Sequence, residues 1–145
     1  MGTASFVHPR IVSAVKRVEF ANDRLSYIVL RGLWLNIVVV NVHALSEKKN
    51  DGSKDSFYEE LERVFQHFPK YHMKILLGDF NAKMGIENVF KTTTGQESLH
   101  QNSNDNGVRL VKFATSKYLV VKSTMFPHRN IRKYTWTSPD GKSHN

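Results

Sequence analysis

Two polar side chains, Asp79 and Asn81, come just after a short, mostly apolar strand that the sequence predicts at residues 73–77. A carboxylate can orient or deprotonate a water molecule, and an amide can donate a hydrogen bond to a phosphate oxygen. Open α/β sheets place their sites at the carboxyl ends of such strands. Asp and Asn also favour turns, so an ordinary turn after the strand is the alternative.

His43 ends a second apolar run, in the sequence Asn41-Val42-His43-Ala44. Side chains alternate along an extended chain, so Asn41 and His43 lie on the same side of it. A histidine at this position could donate a hydrogen bond to phosphate in either protonation state. The alternative is a half-exposed histidine at a strand end with no chemical role.

Two further segments contain residues suited to an anion. Residues 102–107 are rich in Asn and precede a predicted helix, whose backbone N–H groups attract anions; ordinary helix capping is the alternative. Residues 127–137 combine aromatic residues with three cations, Arg129, Arg132 and Lys133. Cations interleaved with aromatic rings suit a phosphate backbone and exposed bases, and the alternative is that the rings belong to a core.

The surrounding pattern predicts the elements that position these residues. β-branched and aromatic residues predict strands at 11–20, 27–30, 33–42, 73–77, 118–123 and 133–137. Helical periodicity predicts a first helix that begins between Ser53 and Ser56, with Ser56 and Glu59 as a capping box, and a second helix at 107–117. The two residues between 27–30 and 33–42 include a glycine, which is typical of a hairpin. This order indicates a mixed α/β layered domain.

The run at 35–40 is apolar at nearly every position. Such a strand is typical of the middle of a sheet that is covered on both faces. The run therefore predicts a central strand that is buried on each side.

The composition limits the class of protein. A chain of 145 residues with 40% hydrophobic and 23% charged residues is typical of one globular domain. Its apolar runs reach about half of the roughly 20 residues that cross a membrane, so no membrane partner is predicted. The lack of cysteine excludes disulfides and thiolate metal sites. A net charge of +8 favours an anionic partner, most commonly nucleic acid, and the alternative is a basic protein with no such partner.

The order of the motifs resembles the endonuclease/exonuclease/phosphatase superfamily. A strand ending Asn-Val-His-Ala, a helix, a strand ending Leu-Leu-Gly-Asp-Phe-Asn-Ala, then Asn-Asp-Asn-Gly and Tyr-Thr-Trp follow one another along the chain. The chain looks most like the endonuclease domain of LINE-type retrotransposons of the RTE clade. Residues 55–61, 67–73 and 123–129 carry that closer resemblance.

The resemblance implies an incomplete four-layer α/β sandwich of the DNase I-like type, as one partial domain over the whole chain. It implies hydrolysis of DNA phosphodiester bonds with Mg²⁺ or Mn²⁺ in the intact family. Asp79 would orient or activate the attacking water, Asn81 would hold the scissile phosphate, and His43 would contact the phosphate. Asn106, with Asn104 as its nearest rival, would contact DNA.

Family members also have an Asn and a metal-binding Glu in an opening strand, and an Asp-His pair after the Trp-containing strand. The 145 residues hold neither at the matching places, so no metal ligand set is assigned and cleavage is expected to be absent or strongly impaired. Weak, salt-dependent binding to the DNA phosphate backbone is expected from Arg129, Arg132 and Lys133. The resemblance implies that the first and last strands of the family's sheets are not among the 145 residues. We therefore expect a partly uncovered sheet through which the chain self-associates. The alternatives are a non-catalytic basic nucleic-acid-binding module and a domesticated interaction fragment.

Overall fold

A computed structural model of the chain describes residues 3–85 and 102–122. These residues form strands, helices and a 3₁₀ turn at Pro9–Ala14. The regular elements in chain order are β1 Val15–Asn22, β2 Leu25–Leu30, β3 Ile37–His43, α1 Asp51–Gln66, β4 Met73–Asp79 and α2 Asp105–Ser116. Neither helix of the described ranges has the length and apolar content that a bilayer crossing requires.

The described residues fall into two compact units. The first unit contains β1 to β4 and α1, and it comprises the chain up to Leu45 together with Lys49–Asp79. The second unit contains α2, and it comprises Ser46–Lys48 and the described residues from Phe80 onward. The architecture is mixed α/β, as the pattern of elements predicts.

The first unit is built on one mixed sheet with the strand order β1-β2-β3-β4. β2 is antiparallel to both β1 and β3, whereas β4 runs parallel to β3. Parallel neighbours need a crossover connection, and α1 provides it between β3 and β4. The register places His43 opposite Asp79 at the carboxyl ends of the two parallel strands.

One face of the sheet is covered by α1. The residues of β2 and β3 that point to this face are buried: Leu25, Tyr27, Val29, Val38, Val40 and Val42. The helix contributes a buried apolar stripe: Phe57, Leu61, Val64 and Phe65. Tyr27 meets Phe68, just beyond α1, edge to face with the ring centroids 5.1 Å apart. Each buried side chain of this size stabilises the fold by about 1.5–3 kcal/mol.

The opposite face of the sheet is covered only in part. Residues 4–7 border a groove of about 330 Å³ over β2 and β3, and Asn41 Nδ2 donates to the Ala4 carbonyl at 2.8 Å. Apolar side chains of the two outer strands on this face are exposed: Val18, Phe20, Met73, Ile75 and Leu77. β3 is therefore central, as predicted. The prediction that it is buried on both sides is wrong, since Ile37 and Val39 on this face are only half-buried.

The start of α1 differs from the prediction. The helix begins at Asp51, because the Asn50 side chain caps it by accepting a hydrogen bond from the Ser53 N–H at 2.8 Å. The predicted capping box at Ser56 and Glu59 lies inside the helix instead.

Two predicted strands differ from the structure. The strand predicted over 11–20 begins at Val15, because the preceding Pro9–Ala14 forms a 3₁₀ turn. The described part of the predicted strand at 118–123 contains an isolated bridge at Val121 and no extended strand. The strand predicted at 133–137 lies outside the described residues.

The connection between β2 and β3 is longer than the two residues of the predicted hairpin. β3 begins at Ile37, and the apolar residues Leu33 and Trp34 are exposed in the loop. Gly32 permits the loop to fold tightly, since a Cβ at this position would be 2.0 Å from the Leu35 carbonyl oxygen. The apolar residues of this loop are the reason why the sequence pattern places the start of the strand at residue 33, four residues before β3 begins.

Candidate functional site

The candidate site begins with the carboxyl ends of β3 and β4. His43 and Asp79 are register partners on neighbouring parallel strands, so their side chains leave the same face of the sheet. The Ala44 N–H donates to the Asp79 carbonyl at 2.8 Å and holds the strand ends together beyond this pair. His43 is half-buried and Asp79 is exposed. An imidazole and a carboxylate are thereby presented as neighbours at one edge of the sheet.

Gly78 permits β4 to approach β3 closely at this edge. Its φ of 133° lies in a region that other residues rarely adopt, and a Cβ there would be 1.9 Å from the Val42 carbonyl oxygen. Glycine is the residue that fits such a position. The first residue of Gly-Asp-Phe-Asn is therefore structural, and it brings Asp79 to the strand end.

Arg24, in the turn between β1 and β2, holds the backbone of His43. The Arg24 carbonyl accepts from the His43 N–H at 2.9 Å, and Arg24 Nη1 donates to the His43 carbonyl at 3.3 Å. Asn22 Oδ1 fixes the turn by accepting from the Arg24 N–H at 2.7 Å. A guanidinium suits phosphate, so Arg24 adds favourable charge at the end of β3. Sequence reasoning missed Arg24, and its only local sign is a turn signal at Asn22-Asp23.

The second unit contains the three predicted site asparagines. Asn104 Oδ1 caps α2 by accepting from the Gly107 N–H at 2.8 Å, which is the capping role named above as the alternative. Asn106 is 3% exposed, and its Nδ2 donates to the Asn81 carbonyl at 3.0 Å. Asn81 is half-buried and has a left-handed backbone with φ of 47°. The structure therefore brings Asn81 and Asn106 into direct contact.

The described ranges contain few side chains that could bind the Mg²⁺ or Mn²⁺ of the intact family. Residues 3–85 and 102–122 contain no group of three or more His, Cys, Asp or Glu side chains that could hold an ion. Mg²⁺ prefers six oxygen ligands, and Asp79 is the one described carboxylate that matches a site residue of the family. The described residues therefore do not fit a complete magnesium site. Arg129, Arg132 and Lys133 lie outside these ranges.

The chain is similar to craniofacial development protein 2. It is 33% identical over 141 residues to the proteins of that name from Bos taurus and from Tragulus javanicus. The aligned part covers 97% of this chain and 24% of each relative, so the chain spans about a quarter of the length of the curated relatives it matches. No protein-family model matches the chain. No solved structure matches it.

Proposed function

We propose that the chain is an endonuclease-like module of the endonuclease/exonuclease/phosphatase superfamily, derived from an RTE-clade LINE endonuclease, and that it binds a DNA phosphate at its strand ends. The observation that carries this proposal is the pairing of His43 with Asp79 at the carboxyl ends of parallel β3 and β4. Open α/β sheets bind their ligands outside the carboxyl ends of strands. The net charge of +8 further supports an anionic polymer as the partner.

Each polar side chain of the proposal has a distinct part. Asp79 would orient or activate the attacking water in the reaction of the intact family, while His43 donates a hydrogen bond to a phosphate oxygen. Arg24 adds positive charge beside His43. Asn81, in the second unit, donates its side-chain amide to a DNA phosphate.

Mg²⁺ or Mn²⁺ is the cofactor proposed for the intact family. Residues 3–85 and 102–122 contain no group of three or more side chains that could hold such an ion, and we propose that the 145-residue chain binds DNA with cleavage absent or strongly impaired. Removing one preorganised stabilising group from a catalytic site already lowers the rate by about 10²–10³-fold. Where the described residues do not supply several such groups, the expected loss of rate is larger still.

We extend the proposal to the fold, as an incomplete four-layer sandwich of the DNase I-like type. Its support is the uneven cover of the sheet in the first unit. α1 covers one face, whereas Val18, Phe20, Ile75 and Leu77 are exposed on the other. In sandwich folds a second sheet packs about 10 Å away against such a face.

Two variants with opposite expected effects test whether phosphate binds at the strand ends. In the absence of divalent ions, His43→Ala should weaken binding to a short DNA duplex by about tenfold, because a hydrogen-bond donor is lost. Asp79→Asn should strengthen binding, because a negative charge beside the phosphate is removed. Fluorescence anisotropy at low salt measures both changes.

Glu59→Gln is the matched control for Asp79→Asn. It makes the same change in net charge at an exposed residue of α1. A gain in affinity that is equal in both variants would show that only total charge matters, and would contradict a phosphate site at Asp79. An unchanged affinity in His43→Ala would contradict the role of His43.

The second candidate function is a basic nucleic-acid-binding module without a site, and the net charge of +8 is the observation that favours it. For such a module, changing Arg129, Arg132 and Lys133 together to Ala should lower both the affinity and the salt dependence of binding. His43→Ala should then have no effect beyond that of a surface substitution. If the chain shows no salt-dependent affinity for DNA, the remaining candidate is a domesticated interaction fragment.

A further inference from the structure

In the second unit, hydrogen bonds tie the segment that follows β4 to the start of α2. Asn106 Nδ2 donates to the Asn81 carbonyl at 3.0 Å. The Lys83 N–H donates to Asn104 Oδ1 at 2.9 Å, and the Asn104 N–H donates back to the Lys83 carbonyl at 3.0 Å. The packing is equally tight, because a Cβ at Gly107 would be 2.0 Å from the Lys83 carbonyl oxygen. The two segments therefore hold each other in one arrangement.

Asn81 adopts a backbone conformation that needs such support. Its φ of 47° lies in the left-handed region, which is uncommon for residues other than glycine and is best tolerated by Asn and Asp. The bond from Asn106 fixes the carbonyl of Asn81, and thus the peptide plane that follows it. Asn106 is 3% exposed, so rotating this plane would break a hydrogen bond that water cannot readily replace.

We propose that Asn106 is a positioning residue: by holding the Asn81 carbonyl, it sets the direction in which Asn81 presents its side-chain amide to phosphate. The inference rests on the proposed function, in which Asn81 donates to a DNA phosphate. A direct contact from Asn106 to DNA would need an accessible amide, whereas this amide is buried and donates to Asn81.

A double-mutant cycle on DNA affinity separates positioning from direct contact. Asn81→Ala and Asn106→Ala should each weaken binding of the chain to a short duplex by about tenfold, because one hydrogen bond to a charged group is lost. The double variant should bind no more weakly than either single variant, since both act through the same amide. Losses that multiply to about 100-fold would show two independent contacts and overturn the proposal.

Asn102→Ala is the matched control for this cycle. Asn102 is an exposed asparagine of the same segment, and its replacement should leave the affinity unchanged. A loss in Asn102→Ala as large as that in Asn106→Ala would show a general effect of the segment and overturn the specific role of Asn106.

NMR spectroscopy tests the contact itself. In the unchanged chain, hydrogen exchange of the side-chain amide should be slow at Asn106 and fast at the exposed Asn102. If Asn106→Ala does not fold, this measurement on the unchanged chain still tests the proposal. Fast exchange of the Asn106 amide would refute it. In folded Asn106→Ala, the Cα shift and the HN–Hα coupling of Asn81 should leave left-handed values, while the α2 amides remain protected. An Asn81 backbone that stays unchanged in this variant would also refute it.

The same data distinguish failure of this inference from failure of the proposed function. If the unchanged chain shows no salt-dependent DNA affinity, the proposed function fails. The exchange rate of the Asn106 amide and the backbone conformation of Asn81 then still decide whether Asn106 holds Asn81.

Discussion

Gly78→Ala adds one methyl group at the closest approach between β3 and β4. At a φ of 133°, a residue with a Cβ has backbone strain of about 1–3 kcal/mol. The new Cβ would be 1.9 Å from the Val42 carbonyl oxygen, a backbone atom that can move only if β3 moves with it. Such overpacking costs about 1–3 kcal/mol more. We therefore expect a loss of about 2–6 kcal/mol, which is large beside the roughly 5–15 kcal/mol that stabilise a typical domain.

Amide hydrogen exchange measures this loss in the strands where it occurs. Protection of the Val40 and Val42 amides should fall by at least about 30-fold, which corresponds to about 2 kcal/mol. Gly52→Ala is the matched control, because its Cβ would enter α1 at an ordinary 3.8 Å from Asn50 Oδ1 and should stabilise the helix by up to about 1 kcal/mol. Undiminished protection in Gly78→Ala would refute the close approach of the strands and the position it gives to Asp79.

Three other outcomes are expected. The 145-residue chain should not nick supercoiled plasmid in the presence of Mg²⁺, and nicking that disappears in Asp79→Ala would contradict this. The Tyr27 hydroxyl, and then the Arg17 guanidinium, hold the pKa of Glu19 below its ordinary value. The stabilisation of the fold by these two hydrogen bonds is present at pH values above the ordinary pKa of Glu19, and it is lost as the pH falls through the lowered pKa. Glu19→Gln should therefore flatten the acid side of a curve of stability against pH. The exposed Phe20 and Leu77 should lead the chain to bind hydrophobic dyes or self-associate and to unfold without a sharp transition, whereas a monomer that melts cooperatively well above body temperature would argue against this.

Apolar spacing is enough to locate the centre of the sheet and the buried stripe of α1. Phe57, Leu61, Val64 and Phe65 recur at helical spacing and are all buried. The start of that helix is less predictable, because Asn50 and Ser56 are both competent caps and only the structure shows which one the chain uses.

The candidate site is predictable from the sequence in part. His43 and Asp79 each follow an apolar run, and a helix between two strands is typical of parallel neighbours, so both residues are expected at one edge. Arg24 is not predictable, because its bonds to His43 depend on how the β1–β2 turn aligns with the end of β3. The contact of Asn106 with Asn81 is equally hidden, since the two lie 25 positions apart along the chain.

Binding of DNA phosphate at the carboxyl ends of β3 and β4 is tested most directly by titrating a short duplex into the isotopically labelled chain at low salt. Backbone amide shifts then report the contact residue by residue. The largest shifts should fall at His43, Ala44 and Asp79, with Asn81 shifting as well. Shifts spread evenly over exposed lysines and arginines, or concentrated on the exposed side of α1, would contradict a phosphate site at these strand ends.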